Sequence, residues 1–268
     1  MKKINIIPLI ASVLVVTSCS SVALTGRKQF IIYPDSEIMS LSEQSYNEFN
    51  ATAKPSTNTK ATNMVKEVCN KMVTAMENYF SETGQSNYMQ GLKWNIDLVQ
   101  SEEVNAFALP SGNIVVYEGM LNYAGTPDLI ATVVGHEMAH AIAKHSNERM
   151  STQAAINTAA SAAEAVLTKT GKITSQKQVL FETAVGLGSQ YGILLPFSRK
   201  QEYEADRIGL IIMAIAGYDI TQAPVLWEKM SQNGSSKVPE FLSTHPSDAK
   251  RIQNLNNCME EAASYKKK

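Results

Sequence analysis

His136-Glu137-Met138-Ala139-His140 decides the reading of this chain. Two imidazoles sit four residues apart with a carboxylate between them. On an α-helix such positions lie on one face, a turn apart, so both rings can bind one zinc ion. Glu137 is rotated by roughly 100° from His136 and reaches toward a water on that ion rather than toward the metal. A zinc peptidase needs this spacing. The stretch also reads as helix. Thr126 is an N-cap, Pro127 a first helical residue and Asp128 a first-turn acid, and Leu129, Ile130, Val133 and Val134 follow at helical spacing. A helix with two incidental histidines is the bland alternative. Scarcity counts against it, because two of the chain's four histidines fall here.

A zinc site needs a third protein ligand and an open position for water. His145 follows His140 by five residues, which on a continuous helix turns it far from the metal face. The extended metzincin pattern fails, since Ala143 and Ser146 stand where it needs glycine and histidine. His245 is distant in sequence, so spacing does not exclude it. Glu202, in Ser198-Arg199-Lys200-Gln201-Glu202-Tyr203-Glu204-Ala205-Asp206, is the best candidate. Ser198 and Gln201 form a capping box, and the apolar run from Ile208 to Ala216 continues the helix. Asp206 lies one turn beyond Glu202 on the same face, placed to accept the second N–H of a ligating histidine. Glu204 points elsewhere, as a solvated or structural acid.

These motifs together resemble the membrane-associated zinc metallopeptidase family that includes CAAX prenyl proteases, HtpX-like proteases and periplasmic BepA-like proteases. The HEMAH helix and Glu202-Tyr203-Glu204-Ala205-Asp206 match its HExxH and ExxxD patterns. Asn105 to Gly112 is similar to its NAF…PGG segment, with Ser111 where glycine is usual. Thr244-His245-Pro246 and Arg251-Ile252 resemble its distal histidine and arginine. The likeness runs from about Gly26 to Leu255. It implies an α+β, mostly helical gluzincin domain with a small sheet beside the HExxH helix, and one zinc ion per chain held by His136, His140 and Glu202. Glu137 would take a proton from water and deliver it to the leaving amine. His245 would hydrogen-bond the developing oxyanion, with Arg251; a histidine there can instead occupy zinc's open position and block it.

The ends carry a separate expectation. Lys2 and Lys3, then the short apolar run Ile4 to Val16, read as a leader over residues 1–18, and Val16-Thr17-Ser18-Cys19 resembles a bacterial lipobox. Cys19 is therefore expected to be lipidated, with residues 19–33 as a tether and 34–268 as the peptidase domain. Ser20 points to a periplasm-facing, lipid-anchored place in a bacterial envelope, at the outer membrane. Loss of the leader moves the formal charge from −1 to −3, a balance that gives no hint of nucleic acid. The remaining body, about 250 residues, is large enough for one substantial core. Cys69 and Cys258 can pair in an oxidising compartment; two buried free thiols are the alternative.

Helices are expected over Asp35–Asn50, Thr59–Tyr79, Met150–Thr168, Ser175–Leu195, Thr221–Gln232 and Pro246–Ala263. Alternation from Leu92 to Leu98 predicts a strand, and Asn105–Leu109 and Asn113–Tyr117 two more around Pro110-Ser111-Gly112. A substrate segment is expected to add as a strand beside Asn113–Tyr117, with Asn105, Ala106, Phe107, Asn113 and Val115 in contact with it. The expected function is hydrolysis of peptide bonds in misfolded or misassembled envelope proteins. The alternative is a zinc-bearing chaperone or assembly factor that rarely cuts.

Overall fold

The HEMAH stretch does lie on a helix, and that helix is buried on every side: each residue from Leu129 to Ile142 is inaccessible. A helix apolar all round belongs at the centre of a domain. The computed structural model describes residues 19–156, 199–232, 241, 245 and 249–266. The leader over residues 1–18, the helices expected from residue 157 to Leu195, and Ser198, Thr244 and Pro246 lie outside the described residues.

Strands β1 (Cys19–Ser21) and β2 (Lys28–Phe30) form an antiparallel hairpin in which Cys19 stands opposite Phe30. Helices α1 (Asp35–Asn50) and α2 (Thr59–Glu82) follow, the second capped by Asn58, whose side chain accepts from Ala61 N. Strands β3 (Ile96–Val99), β4 (Ala106–Ala108) and β5 (Ile114–Tyr117) make one sheet in the order β3-β5-β4. Next come the motif helix α3 (Pro127–Ile142), α4 (residues 145–156), α5 (Arg199–Ile215), α6 (Gln222–Gln232) and α7 (Ala249–Ser264). Helix α3 packs against α2, α5, α6 and the sheet strand β4. The expected α+β, mostly helical domain with a small sheet beside the HExxH helix is what the chain forms. Among the described residues no helix is long and apolar enough to cross a membrane.

Three expectations change here. Residues 19–33 are no loose tether: Val22 and Ala23 are buried in the core, and the hairpin is held to the helices by Arg27. The strand expected from Leu92 begins only at Ile96, because Trp94 takes a left-handed backbone (φ 43°) to follow the turn at Gly112 (φ 89°). Cys69 and Cys258 are free thiols, which corrects the disulfide. Cys69 is enclosed in the core, and burial pushes its thiol up to about 12. Ser111 is accommodated where glycine is usual. Its Oγ accepts from Ser42 and from Asn113 Nδ2, tying the turn to α1.

The crossing of α3 and α5 fixes the site. Gly135 and Gly209 face each other so closely that a Cβ on Gly209 would lie 3.1 Å from both Gly135 C and His136 N. Two bare backbones in contact bring the side chains of α5 within reach of His136 and His140. Gly209→Ala is expected to force the helices apart, costing roughly 1–3 kcal/mol. Urea unfolding should show a lower midpoint together with weaker zinc retention; a wild-type midpoint would mean the crossing tolerates a methyl group.

Candidate metal centre

Helix α3 presents His136 and His140 one turn apart, α5 presents Glu202, and the segment before α7 presents His245. Their donor atoms converge on one buried spot. His136 Nε2 lies 3.1 Å from His140 Nε2, 3.2 Å from His245 Nδ1 and 3.4 Å from Glu202 Oε2. Glu202 Oε1 is 3.2 Å from His245 Nδ1 and 3.4 Å from His140 Nε2. Zinc bonds of 2.0–2.1 Å in a tetrahedron require donors about 3.4 Å apart. The four residues fit zinc in both chemistry and spacing. Two further observations agree with that fit. Glu137 Oε1 is buried with no hydrogen-bond partner, and so is Glu202 Oε2, although Arg251 Nη1 lies 2.9 Å from the latter without hydrogen-bond alignment.

Each ring is held from behind. His136 Nδ1 lies 2.9 Å from Asp206 Oδ1, and Asp206 takes Arg251 Nε at 2.6 Å and Nη2 at 2.8 Å. The expected orienting role of Asp206 has its geometry. Arg251 does not: it is fully buried, bidentate on Asp206, and its guanidinium lies 3.6 Å from the Trp227 ring centroid. It stands behind His136 as a positioning group, which corrects the oxyanion assignment. Trp227 stacks on Phe241, and Phe241 lies 4.5 Å from the His245 ring, so two aromatics that the sequence reading passed over roof the cluster.

His245 is also placed differently from the favoured expectation. Its Nδ1 sits among the metal donors and its Nε2 is 3.4 Å from Glu137 Oε1. A zinc ion held by these donors would have His245 among its ligands, the placement of the blocking alternative rather than of an oxyanion donor. Phe241 N donates to Val104 O, so the same segment lies against the start of β4.

The substrate-strand expectation is corrected by the sheet order. β5 is central, paired with β3 on one side and β4 on the other, so no strand can add beside Asn113–Tyr117. Asn113 is buried and binds Glu43, Asn95 and Ser111, and Val115 is core. The edge strand beside α3 is β4, which carries the buried Ala106 and the partly buried Phe107 and follows Asn105. Asn105 Oδ1 accepts from Ala106 N, and Glu137 Oε2 accepts from Ala108 N at 2.9 Å. Phe107 packs edge-on against Phe49, 5.4 Å between centroids. A cavity of about 820 Å³ between α2 and the end of α5 does not touch the metal centre.

His145, set aside from spacing, is fully buried with Nδ1 2.9 Å from His140 Nδ1. The helix wheel failed because α3 ends at Ile142 and Lys144 turns left-handed (φ 53°), so α4 starts afresh and swings His145 back. All four histidines of the chain thus meet in one cluster; their scarcity was the available signal. Glu204 points away from the metal donors as expected; it is buried rather than solvated, bonded to Thr25, Arg27 and His145.

Electrostatics without a metal follow from this crowding. Burial drives His140 well below its ordinary value, which suits a neutral ligand. Burial also favours neutral His136, as does Arg251, but hydrogen bonds to Asp206 and Glu202 outweigh both and raise it to about 9. Burial raises Glu137, toward the range of a working base. The metal-free His136 therefore carries a proton at neutral pH, and that proton must leave when zinc binds. The raised value means this ion pairing is complete below pH ~6.5 and disappears as pH rises through about 9. Calorimetric zinc titration near pH 7 should show heats that vary with buffer ionisation enthalpy, corresponding to about one proton released. Buffer-independent heats would contradict it.

Residues 64–259 match a family model described as Peptidase family M48. The mitochondrial metalloendopeptidase OMA1 of Arabidopsis thaliana is 39% identical over 183 residues, covering 66% of this chain and 34% of the relative. The human mitochondrial metalloendopeptidase OMA1 is 30% identical over 259 residues, covering 92% of this chain and 45% of the relative. The Escherichia coli β-barrel assembly-enhancing protease is 29% identical over 169 residues, 60% of this chain and 33% of the relative. The chain spans a third to under half of these relatives' lengths. The expected place at a bacterial outer membrane is overturned by these matches, since relatives at 30–39% identity carry mitochondrial names in a plant, yeasts and mammals. The family model covers most of the chain, and its zinc metallopeptidase chemistry fits the donors that converge here: the chain belongs to peptidase family M48.

Proposed function

We propose that this protein is a zinc-dependent endopeptidase acting on extended segments of misfolded or misassembled proteins. The observation that carries the reading is the buried convergence of His136, His140 and Glu202 with a Glu137 oxygen beside them that has no hydrogen-bond partner. Zinc held there supplies a Lewis acid for the scissile carbonyl and acidifies a water. The remaining work belongs to the chain. Asp206 and Arg251 keep His136 in one tautomer and orientation. Glu137, desolvated beside the donors, would accept the water proton and hand it to the leaving nitrogen. β4, which carries Ala106 and Phe107 after Asn105, is the edge strand beside the motif helix, and a substrate strand pairing there would replace Asn105 Oδ1 on Ala106 N and Glu137 Oε2 on Ala108 N. Backbone pairing reads extended conformation more than side-chain identity, which suits unfolded segments as substrates.

A second reading, a zinc-bearing chaperone or assembly factor with little proteolysis, has one observation behind it. His245 Nδ1 lies among the donors, 3.2 Å from both His136 Nε2 and Glu202 Oε1, where it would compete with a reacting water for a bound zinc. One relative is named for enhancing β-barrel assembly. Glu137→Gln separates the readings: it should keep zinc and lose about 10²–10⁴-fold in hydrolysis of an unfolded protein. Peptide cleavage by this variant at the wild-type rate would remove Glu137 from the chemistry. A cellular role that survives the substitution would favour the chaperone.

His245→Ala, which unblocks the vertex, should retain zinc through three ligands and raise cleavage of the same unfolded protein, including self-cleavage. A fall in turnover at unchanged zinc content would restore the oxyanion role.

A further inference from the structure

His140 Nε2 faces the metal donors, so in a neutral ring the proton resides on Nδ1. That Nδ1 is 2.9 Å from His145 Nδ1, which must then accept. The His145 proton is left on Nε2, 3.0 Å from Glu204 Oε2, a carboxylate that accepts it. Glu204 is anchored in turn by the N-terminal hairpin. Its Oε1 accepts from Thr25 Oγ1 at 2.6 Å and its Oε2 from Arg27 Nε at 2.6 Å. The other face of Arg27 is bidentate on Glu148 of α4 at 2.6 and 2.7 Å. Gln201 closes the frame, donating to Glu148 Oε2 at 2.9 Å and to the His145 carbonyl at 3.3 Å.

We propose that His145 and Glu204, anchored by Arg27 of the β1–β2 hairpin, are positioning residues for His140: they fix its tautomer and ring direction, so that docking of the hairpin sets how tightly the site holds zinc. The arrangement repeats the one behind His136. There the order is imidazole, Asp206 carboxylate, Arg251 guanidinium; here it is imidazole, His145, Glu204 carboxylate, Arg27 guanidinium. A second imidazole spans the extra distance to the edge of the domain. A purely structural Arg27–Glu204 pair would need no histidine in line with a metal ligand. Carboxylate-backed histidines are stronger and better oriented ligands.

The inference rests on His140 being a ligand, and the test separates the two. Zinc affinity is measured on the full chain by competition with a chromophoric chelator. His140→Ala should lose zinc; wild-type affinity in that variant would overturn the ligand assignment itself. Glu204→Gln should weaken zinc binding by about 10–100-fold, with a smaller loss for Arg27→Ala. Glu261→Gln, which breaks an equally close but distant pair with Arg207, should change nothing. If Glu204→Gln lowers the unfolding temperature of the metal-free protein and leaves zinc affinity untouched, Glu204 is merely structural and the proposal fails. Long-range proton–nitrogen NMR of the zinc-loaded wild type decides the matter even if the variants do not fold. The proposal requires the proton of His140 on Nδ1 and that of His145 on Nε2. A His145 proton on Nδ1 would overturn it.

Discussion

Imidazole lone pairs that face one another at 3.1 Å repel unless a cation or a proton lies between them. Once His136 gives up its extra proton, the N–H that remains is Nδ1, 2.9 Å from Asp206 Oδ1, and the Nε2 lone pair points inward. His140, His245 and Glu202 aim at the same place from three other directions. Buried without compensation, such a set would be a heavy cost, since desolvated carboxylates and crowded acceptors have no water to relieve them. A divalent cation at the centre turns the same crowding into binding energy. Much of the surrounding architecture can be understood as what is needed to keep the four donors pointed inward.

The backbone supplies the closeness and the charged residues supply the direction. Gly135 and Gly209 let two helices touch without side chains between them, which brings Glu202 and Asp206 under the rings of α3. Two guanidiniums, the buried Arg251 on α7 and the half-buried Arg27 on the N-terminal hairpin, then hold the carboxylates that lie behind the histidines. Elements far apart in the chain thus share one centre. A conformation with His245 at the fourth vertex is tightly closed, and the segment that carries it also lies against the start of the β4 edge.

Local patterns made the metal helix legible. Thr126-Pro127-Asp128, the apolar spacing and the paired histidines each state their geometry within a few residues, and the structure agrees with them. Glu202 and Asp206 were legible as one face of a second helix once the first motif was known. What stayed hidden depended on breaks in regularity or on long-range packing. His145 was misplaced because one left-handed residue, Lys144, interrupts the wheel. The role of Glu204 depended on a hairpin 177 residues away that supplies Arg27. Asn113 and Val115 looked available to a substrate strand because strand order cannot be read from alternation alone; in the sheet they are paired on both sides. Arg251 matched an expected position, yet its burial and its grip on Asp206 give it a supporting task.

The central claim is that four protein side chains, three of them imidazoles, surround one zinc ion in the resting protein. Zinc-edge X-ray absorption on the zinc-loaded chain tests it directly. The account predicts three imidazole scattering patterns and one oxygen, all at roughly 2.0–2.1 Å, with one imidazole pattern lost in His245→Ala. Two imidazoles in the wild type, unchanged by that substitution, would contradict it.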